Sequence, residues 1–145
     1  MSIRSDYNTS GVHADIVARP VLFSDLPLAF TIHPVHNDIR PITDIAAIQQ
    51  SVKNLVLTNY YEIPFHPEIG SNVAGLLFEN ADPFTAEAIK TEIRAVLEKY
   101  EPRVRVGAIK VKDESEQNAY QVDITFIILA TERVVNIDFY LHRQR

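Results

Sequence analysis

The chain has 145 residues, a length that fits one domain and leaves little room for a second. Apolar residues make up 46% and charged residues 23%, the balance of a globular core, and 14 basic against 19 acidic side chains give a net charge of −5 that disfavours non-specific nucleic-acid binding. The absence of cysteine excludes disulfides, thiolate nucleophiles and cysteine-held metal, and the four glycines build no phosphate-binding loop.

Residues 1–26 read as an extended N-terminal arm, followed by a single domain over 27–145. The opening Met1-Ser2-Ile3-Arg4-Ser5-Asp6 lacks the apolar core of a signal peptide, and the longest apolar run, residues 73–78, is far short of the ~20 a spanning helix needs. A soluble protein made in the cytoplasm is therefore expected. Leu28-Ala29-Phe30-Thr31-Ile32 alternates apolar and polar residues, which predicts a short strand ended by Pro34. Thr43 or Asp44 can cap a helix, and Ile45, Ile48, Val52 and Leu55 then follow at the spacing of one apolar stripe. Pro64 and Pro67 exclude regular helix from 59–70. Ser71 or Asn72 can cap a short helix through Leu76, Leu77 and Phe78. After the turn Asn80-Ala81-Asp82-Pro83, Thr85 heads a longer helix with the stripe Ile89, Ile93, Val96, Leu97 and Tyr100, stopped by Pro102. From Val104 the apolar period changes from about 3.6 to 2. The strands are expected at 104–112, with a bulge at Gly107, at 120–129 and at 134–142, where Val135, Ile137, Phe139 and Leu141 share a face. Helices first and strands last predict an α+β fold, with two to three helices on one face of a C-terminal antiparallel three-strand meander.

No catalytic pattern rises above this background. His33, His36 and Asp38 have ligand chemistry, but Pro34 denies them a shared helix face and no third histidine lies near. Glu62, Glu68 and Glu79 are the acids nearest an aromatic loop, each beside polar or turn-forming residues, whereas a glycosidase needs a closely set pair, one with a raised pKa. Ser10, Ser24, Ser51, Ser71 and Ser115 lack the context of an activated nucleophile. Glu101-Pro102-Arg103 is more informative. Proline holds Glu101 extended, and residues two apart in an extended chain project together, so the carboxylate and guanidinium leave the helix-to-strand corner on one side, either as solvated charges or as a contact. The loop Tyr60-Tyr61-Glu62-Ile63-Pro64-Phe65 reads either as a cap on the core or as an interface anchor, since Tyr and Phe dominate both settings.

Four segments then carry a resemblance: Ile63-Pro64-Phe65-His66-Pro67-Glu68-Ile69-Gly70, Leu76-Leu77-Phe78-Glu79-Asn80, Thr85-Ala86 and Tyr100-Glu101-Pro102-Arg103-Val104. In order and spacing they resemble the small baseplate wedge proteins of contractile phage tails, a family with counterparts in type VI secretion and extracellular contractile injection particles. The helix with Ala46, Ser51-Val52-Lys53-Asn54-Leu55 and Leu57-Thr58 resembles the family's first helix, while Ile63 stands where the family often has arginine. The resemblance implies a structural sheath initiator in a tail baseplate, made in the bacterial cytoplasm, with no cofactor and no catalytic residue. Its partners would be the baseplate wedge core proteins, the tail sheath subunits, and tube or hub proteins, with neither nucleic acid nor membrane among them. Tyr100, Glu101, Pro102 and Arg103 would dock on the wedge core, Tyr61, Pro64 and Phe65 would form an interface loop, and the strand bearing Val135, Ile137, Phe139 and Leu141 would take up a sheath strand, the alternative being a sheet edge covered by the N-terminal arm. The family also carries a lysozyme-like label, and the alternative is a peptidoglycan-cleaving glycoside hydrolase. A free-standing small-molecule domain would instead show a deep apolar pocket.

Overall fold

The computed structural model describes residues 21–30, 32, 34, 37–39 and 41–143. In chain order these form β1 (Ser24–Asp25), β2 (Ile42–Thr43), α1 (Asp44–Leu57), α2 (Val73–Leu76), α3 (Pro83–Tyr100), β3 (Val104–Glu114), a 3-10 turn (Ser115–Gln117), β4 (Ala119–Ile128) and β5 (Arg133–His142). The large sheet has the sequential order β3-β4-β5 with both pairings antiparallel, so the α+β meander is as the periodicity predicts. No helix of the described residues is long and apolar enough to cross a membrane.

The helices form where their apolar stripes can be buried. Ile48, Val52 and Val56 of α1 and Ile89, Ile93 and Leu97 of α3 join Tyr120, Val122, Ile124, Phe126 and Ile128 of β4 in one core. Each such side chain contributes about 1.5–3 kcal/mol by leaving water. Helix α3 starts earlier than its Thr85 signal suggests, because the Asp82 side chain accepts a hydrogen bond from Thr85 N at 2.7 Å and Pro83 occupies the first turn, where a missing N–H costs nothing. That bond also holds Asp82 below its ordinary pKa. Along β4 buried residues alternate with half-buried Gln121, Asp123, Thr125 and Ile127, so one sheet face carries the helices and the other stays open. The β3–β4 register shifts between Val106 and Ile109, at the glycine that the sequence marks for a bulge. A Cβ on Gly107 would come within 2.9 Å of the Thr125 carbonyl oxygen.

Two local expectations fail. The strand over 28–32 is absent among the described residues there: Leu28 and Ala29 make a turn, Phe30 has φ +45°, and Ile32 makes only an isolated bridge to Ile39. The pairing that exists instead joins β1 to β2, with Ser24 opposite Thr43 and Asp25 opposite Ile42. Asp44 also does not cap α1, and Thr43 at the N-cap makes no side-chain bond. Asp44 Oδ1 instead accepts the backbone N–H groups of Leu22 and Phe23, while Gln50 accepts from Leu28 N and donates to Leu26 O. Helix polar groups are thus spent on tying residues 22–28 to α1. Of the arm at 1–26, residues 1–20 lie outside the described residues.

Candidate functional site

The corner between α3 and β3 is built from three elements. Glu101 caps the C-terminus of α3, its backbone N–H donating to Leu97 O, and Pro102 prevents another turn. The Arg103 guanidinium returns to the Glu101 carboxylate with two parallel bonds, Nε to Oε1 at 2.6 Å and Nη2 to Oε2 at 2.5 Å. The two side chains do project together, as extended geometry predicts. They are not, however, two solvated charges: Glu101 is only 2% exposed, and it also accepts a 2.7 Å bond from Ser51 Oγ on α1. Burial alone would raise the Glu101 pKa, but the bonds and charge of Arg103 with the Ser51 hydroxyl outweigh it and hold the carboxyl below its ordinary range. Arg103 is correspondingly raised by its bond to Glu101. The Arg103 side chain keeps about a third of its surface, 34%, and its guanidinium lies 5.5 Å from the centre of the Phe23 ring. Pro102 is exposed; the Tyr100 hydroxyl donates to the Glu68 carbonyl, joining the corner to the neighbouring loop.

That loop, residues 59–72, does not cap the core with its aromatic residues. Tyr61 is 85% and Phe65 96% exposed, and Pro64 is exposed between them, while Ile63 and Ile69 turn partly inward. Tyr61 (φ +67°) and Phe65 (φ +69°) both hold left-handed backbone, which bulky residues rarely adopt. Tyr60 is fixed by a bond from its hydroxyl to Glu92, which also accepts from Asn72 N.

The third candidate is the outer edge of β5, which no strand of the described residues pairs. Successive residues of an antiparallel strand turn their N–H and C=O alternately to one neighbour and to the other. Arg143 N donates to Asn118 O, one step beyond the Ala119–His142 pair, so the odd-numbered residues of β5 face β4. Val135, Ile137, Phe139 and Leu141 therefore spend their backbone on β4 and their side chains on the core. The outward N–H groups of the strand are therefore not those of Ile137 and Phe139. The edge groups that face away belong to Val134, Asn136, Asp138, Tyr140 and His142, all exposed. Gln49 of α1 reaches the Asn136 carbonyl at 3.5 Å, in keeping with that direction. A groove of about 420 Å³ runs beside the edge, between α1 and β5, with Leu28, Lys53 and Phe139 in its walls.

The remaining candidates do not assemble. His33 and His36 lie outside the described residues, and no three potential metal ligands converge among the described ones. Glu68 pairs with His66 at 3.2 Å, and Glu62 accepts from Asn59 N. Backbone and His66 hydrogen bonds hold Glu68 below its usual range, as bonds hold Asp82 and Glu101; a glycosidase acid needs the opposite shift. A second groove, about 630 Å³ between the start of α3 and β3, is lined by Ala86, Ile109 and Val111 together with charged Glu87, Lys90 and Lys110, and it is open to solvent rather than a deep pocket. Sequence reasoning missed Ser51 and Phe23 as partners of the corner. Neither had a local signal, since each reaches it from a distant segment.

Residues 43–133 match the family model described as baseplate wedge protein gp25. The chain is 28% identical over 94 residues to baseplate wedge protein gp25 of Enterobacteria phage T4, covering 65% of this chain and 71% of that one. In fold it is similar to a Geobacter sulfurreducens protein that goes by the name of a tail lysozyme (TM-score 0.63, 19% identity, 68% of this chain and 89% of the other). It is also similar to a chain of the anti-feeding prophage baseplate (TM-score 0.59, 15% identity, 85% and 87%). The chain belongs to the baseplate wedge protein gp25 family.

Proposed function

We propose that this baseplate wedge protein is a structural part of a contractile tail or injection particle and has no enzymatic role. It docks on the wedge core proteins through Tyr100, Pro102 and the exposed part of Arg103, with buried Glu101 fixing the guanidinium. It then begins the sheath by accepting a strand from a sheath subunit on the free edge of β5. Tube or hub proteins are further neighbours in such an assembly. The observation that carries this reading is the edge itself. Five exposed residues present backbone N–H and C=O groups that no described strand pairs, and an adjoining groove can take alternate side chains of an added strand. Soluble proteins normally blunt such an edge with proline, inward charge or a covering segment. Strand addition draws its affinity from the backbone and its register from side-chain pockets, which suits recruitment of identical subunits to a ring.

The test uses the parity of β5. Asp138→Pro removes an outward N–H and is expected to leave the fold and entry into baseplates intact while abolishing sheath growth. Ile137→Pro breaks the bond to β4 and is expected to unfold the domain. Sheaths of normal length on Asp138→Pro baseplates would overturn strand addition. Clearing of peptidoglycan by the purified protein, lost on a single Glu→Gln change, would overturn the non-enzymatic reading.

A further inference from the structure

The loop 59–72 is held as a rigid frame. Tyr61 N donates to Pro67 O, His66 N to Ile63 O, Ile69 N to His66 O and Ser71 N to Thr58 O, and Tyr60 and Tyr100 tie its two flanks to α3. Gly70, at φ +146°, sits so close to the Asn59 carbonyl that a Cβ would fall 2.6 Å from it. Against this order the two barest aromatic rings of the described residues, Tyr61 and Phe65, stand in left-handed backbone with almost no cover. Strain of this kind persists only where the surrounding structure imposes it. Among the described residues the two rings are too exposed for packing to repay it.

The charge around the rings selects what can cover them. The loop carries the carboxylates Glu62 and Glu68, Glu92 is bonded to its flank, its one basic side chain, His66, is engaged by Glu68, and the nearby Lys99 of α3 lies over the Tyr100 ring. An apolar partner would have to strip water from these carboxylates, and an anionic partner would be repelled. A cation gains on both counts, meeting the negative face of a ring on a loop that also carries carboxylates. The same chemistry recurs inside the chain: Lys99 stands 4.8 Å from the Tyr100 ring, Arg103 5.5 Å from Phe23 and Arg143 4.8 Å from Tyr120. Among the described residues, Tyr61 and Phe65 carry no such cation.

We propose that Tyr61 and Phe65 are a preformed seat for an arginine or lysine side chain of a partner protein, with Glu62 and Glu68 as its charge-complementary rim. Arginine suits it better, because a planar guanidinium can lie on a ring and bond a carboxylate at the same time. This names the chemistry of one assembly contact and rests on the assembly reading only in taking the partner to be a baseplate protein. It involves neither the β5 edge nor the Glu101 corner.

The test titrates the purified protein with three short glycine- and serine-rich peptides that differ only in carrying two arginines, two leucines or two glutamates, followed by NMR of the aromatic side chains. The arginine peptide is expected to shift the Tyr61 and Phe65 ring resonances at millimolar concentration, and the other two are not. Phe65→Ala and Tyr61→Ala should each weaken that binding by about twofold to fivefold, the range expected for one exposed ring. Phe65→Trp should retain it, and Glu62→Gln with Glu68→Gln should reduce it and its sensitivity to salt. Unchanged amide spectra establish that each variant is folded. The inference is overturned if the leucine peptide moves the same resonances as strongly, if no peptide moves them, or if Phe65→Ala leaves the arginine titration unaltered. Sheath growth does not enter this measurement, so a protein that starts no sheath and still seats the arginine peptide would count against strand addition alone.

Discussion

The corner at Glu101 and the loop at Tyr61 and Phe65 are joined by one hydrogen bond, from the Tyr100 hydroxyl to Glu68, yet they distribute charge and apolar surface in opposite ways. At the corner a carboxylate is buried and every bond it needs is made inside the monomer, by Arg103 and by Ser51. In the loop, large rings that could have been buried are held in water on a strained backbone. The corner is thus a completed structural unit whose outer surface can still be recognised, whereas the loop is complete in its backbone and incomplete in its side chains. Residue type alone would have assigned the roles the other way round, with charges outside and aromatics inside.

Substitutions can break this contrast, and the largest effect is expected at the corner. Arg103→Ala would leave the Glu101 carboxylate buried with only the Ser51 hydroxyl, at a cost of about 3–4 kcal/mol, which a urea denaturation midpoint would report. A loss below about 1 kcal/mol would return the pair to the class of ordinary surface ion pairs. Gly70→Ala comes next: a Cβ pressed on the Asn59 carbonyl at positive φ should cost about 2 kcal/mol and loosen the loop, measured by thermal melting and by faster amide exchange at Tyr61 and Ile69.

The pH dependence sharpens the same contrast. Because Glu101 is held below its ordinary value of 4.5 when folded, it binds its proton more readily in the unfolded chain. Its contribution is full above about pH 4.5 and is lost as pH falls through the lower folded value. Glu101→Gln should therefore lose stability at neutral pH and show a shallower decline in acid than the wild type, both read from denaturation midpoints across the acid range. Glu68 and Asp82 are lowered too, so some decline should persist in the variant.

The smallest effect is expected at the bare rings. Phe65→Ala should change stability by no more than about 0.5 kcal/mol, because almost no surface leaves or enters water. Phe65→Gly should be neutral or stabilising by up to about 1 kcal/mol, as the left-handed backbone is relieved while the unfolded chain gains freedom. A clear destabilisation by either change would mean that the ring supports the fold, and the contrast with the corner would disappear.

The amino-acid order by itself determined the elements whose physics is local. The change of apolar period at Val104 marked the sheet, and the expected strands at 104–112, 120–129 and 134–142 fall within two residues of β3, β4 and β5 at either end. The stripes of α1 and α3, the bulge at Gly107 and the shared direction of Glu101 and Arg103 were legible for the same reason, since each depends on neighbours a few residues apart. The segments around Ile63–Gly70 and Tyr100–Val104 carried the family. Only the tertiary structure decided what depends on distant partners. Asp44 binds Leu22 and Phe23 rather than its own helix, and the buried Glu101 takes a hydrogen bond from Ser51, fifty residues earlier. The free edge of β5 falls on its even-numbered residues because Arg143 meets Asn118, and a one-residue slip would exchange inner and outer backbone groups throughout the strand. Alternation in a sequence establishes which residues share a face; which of them turn outward is fixed by pairing register and by what packs on top.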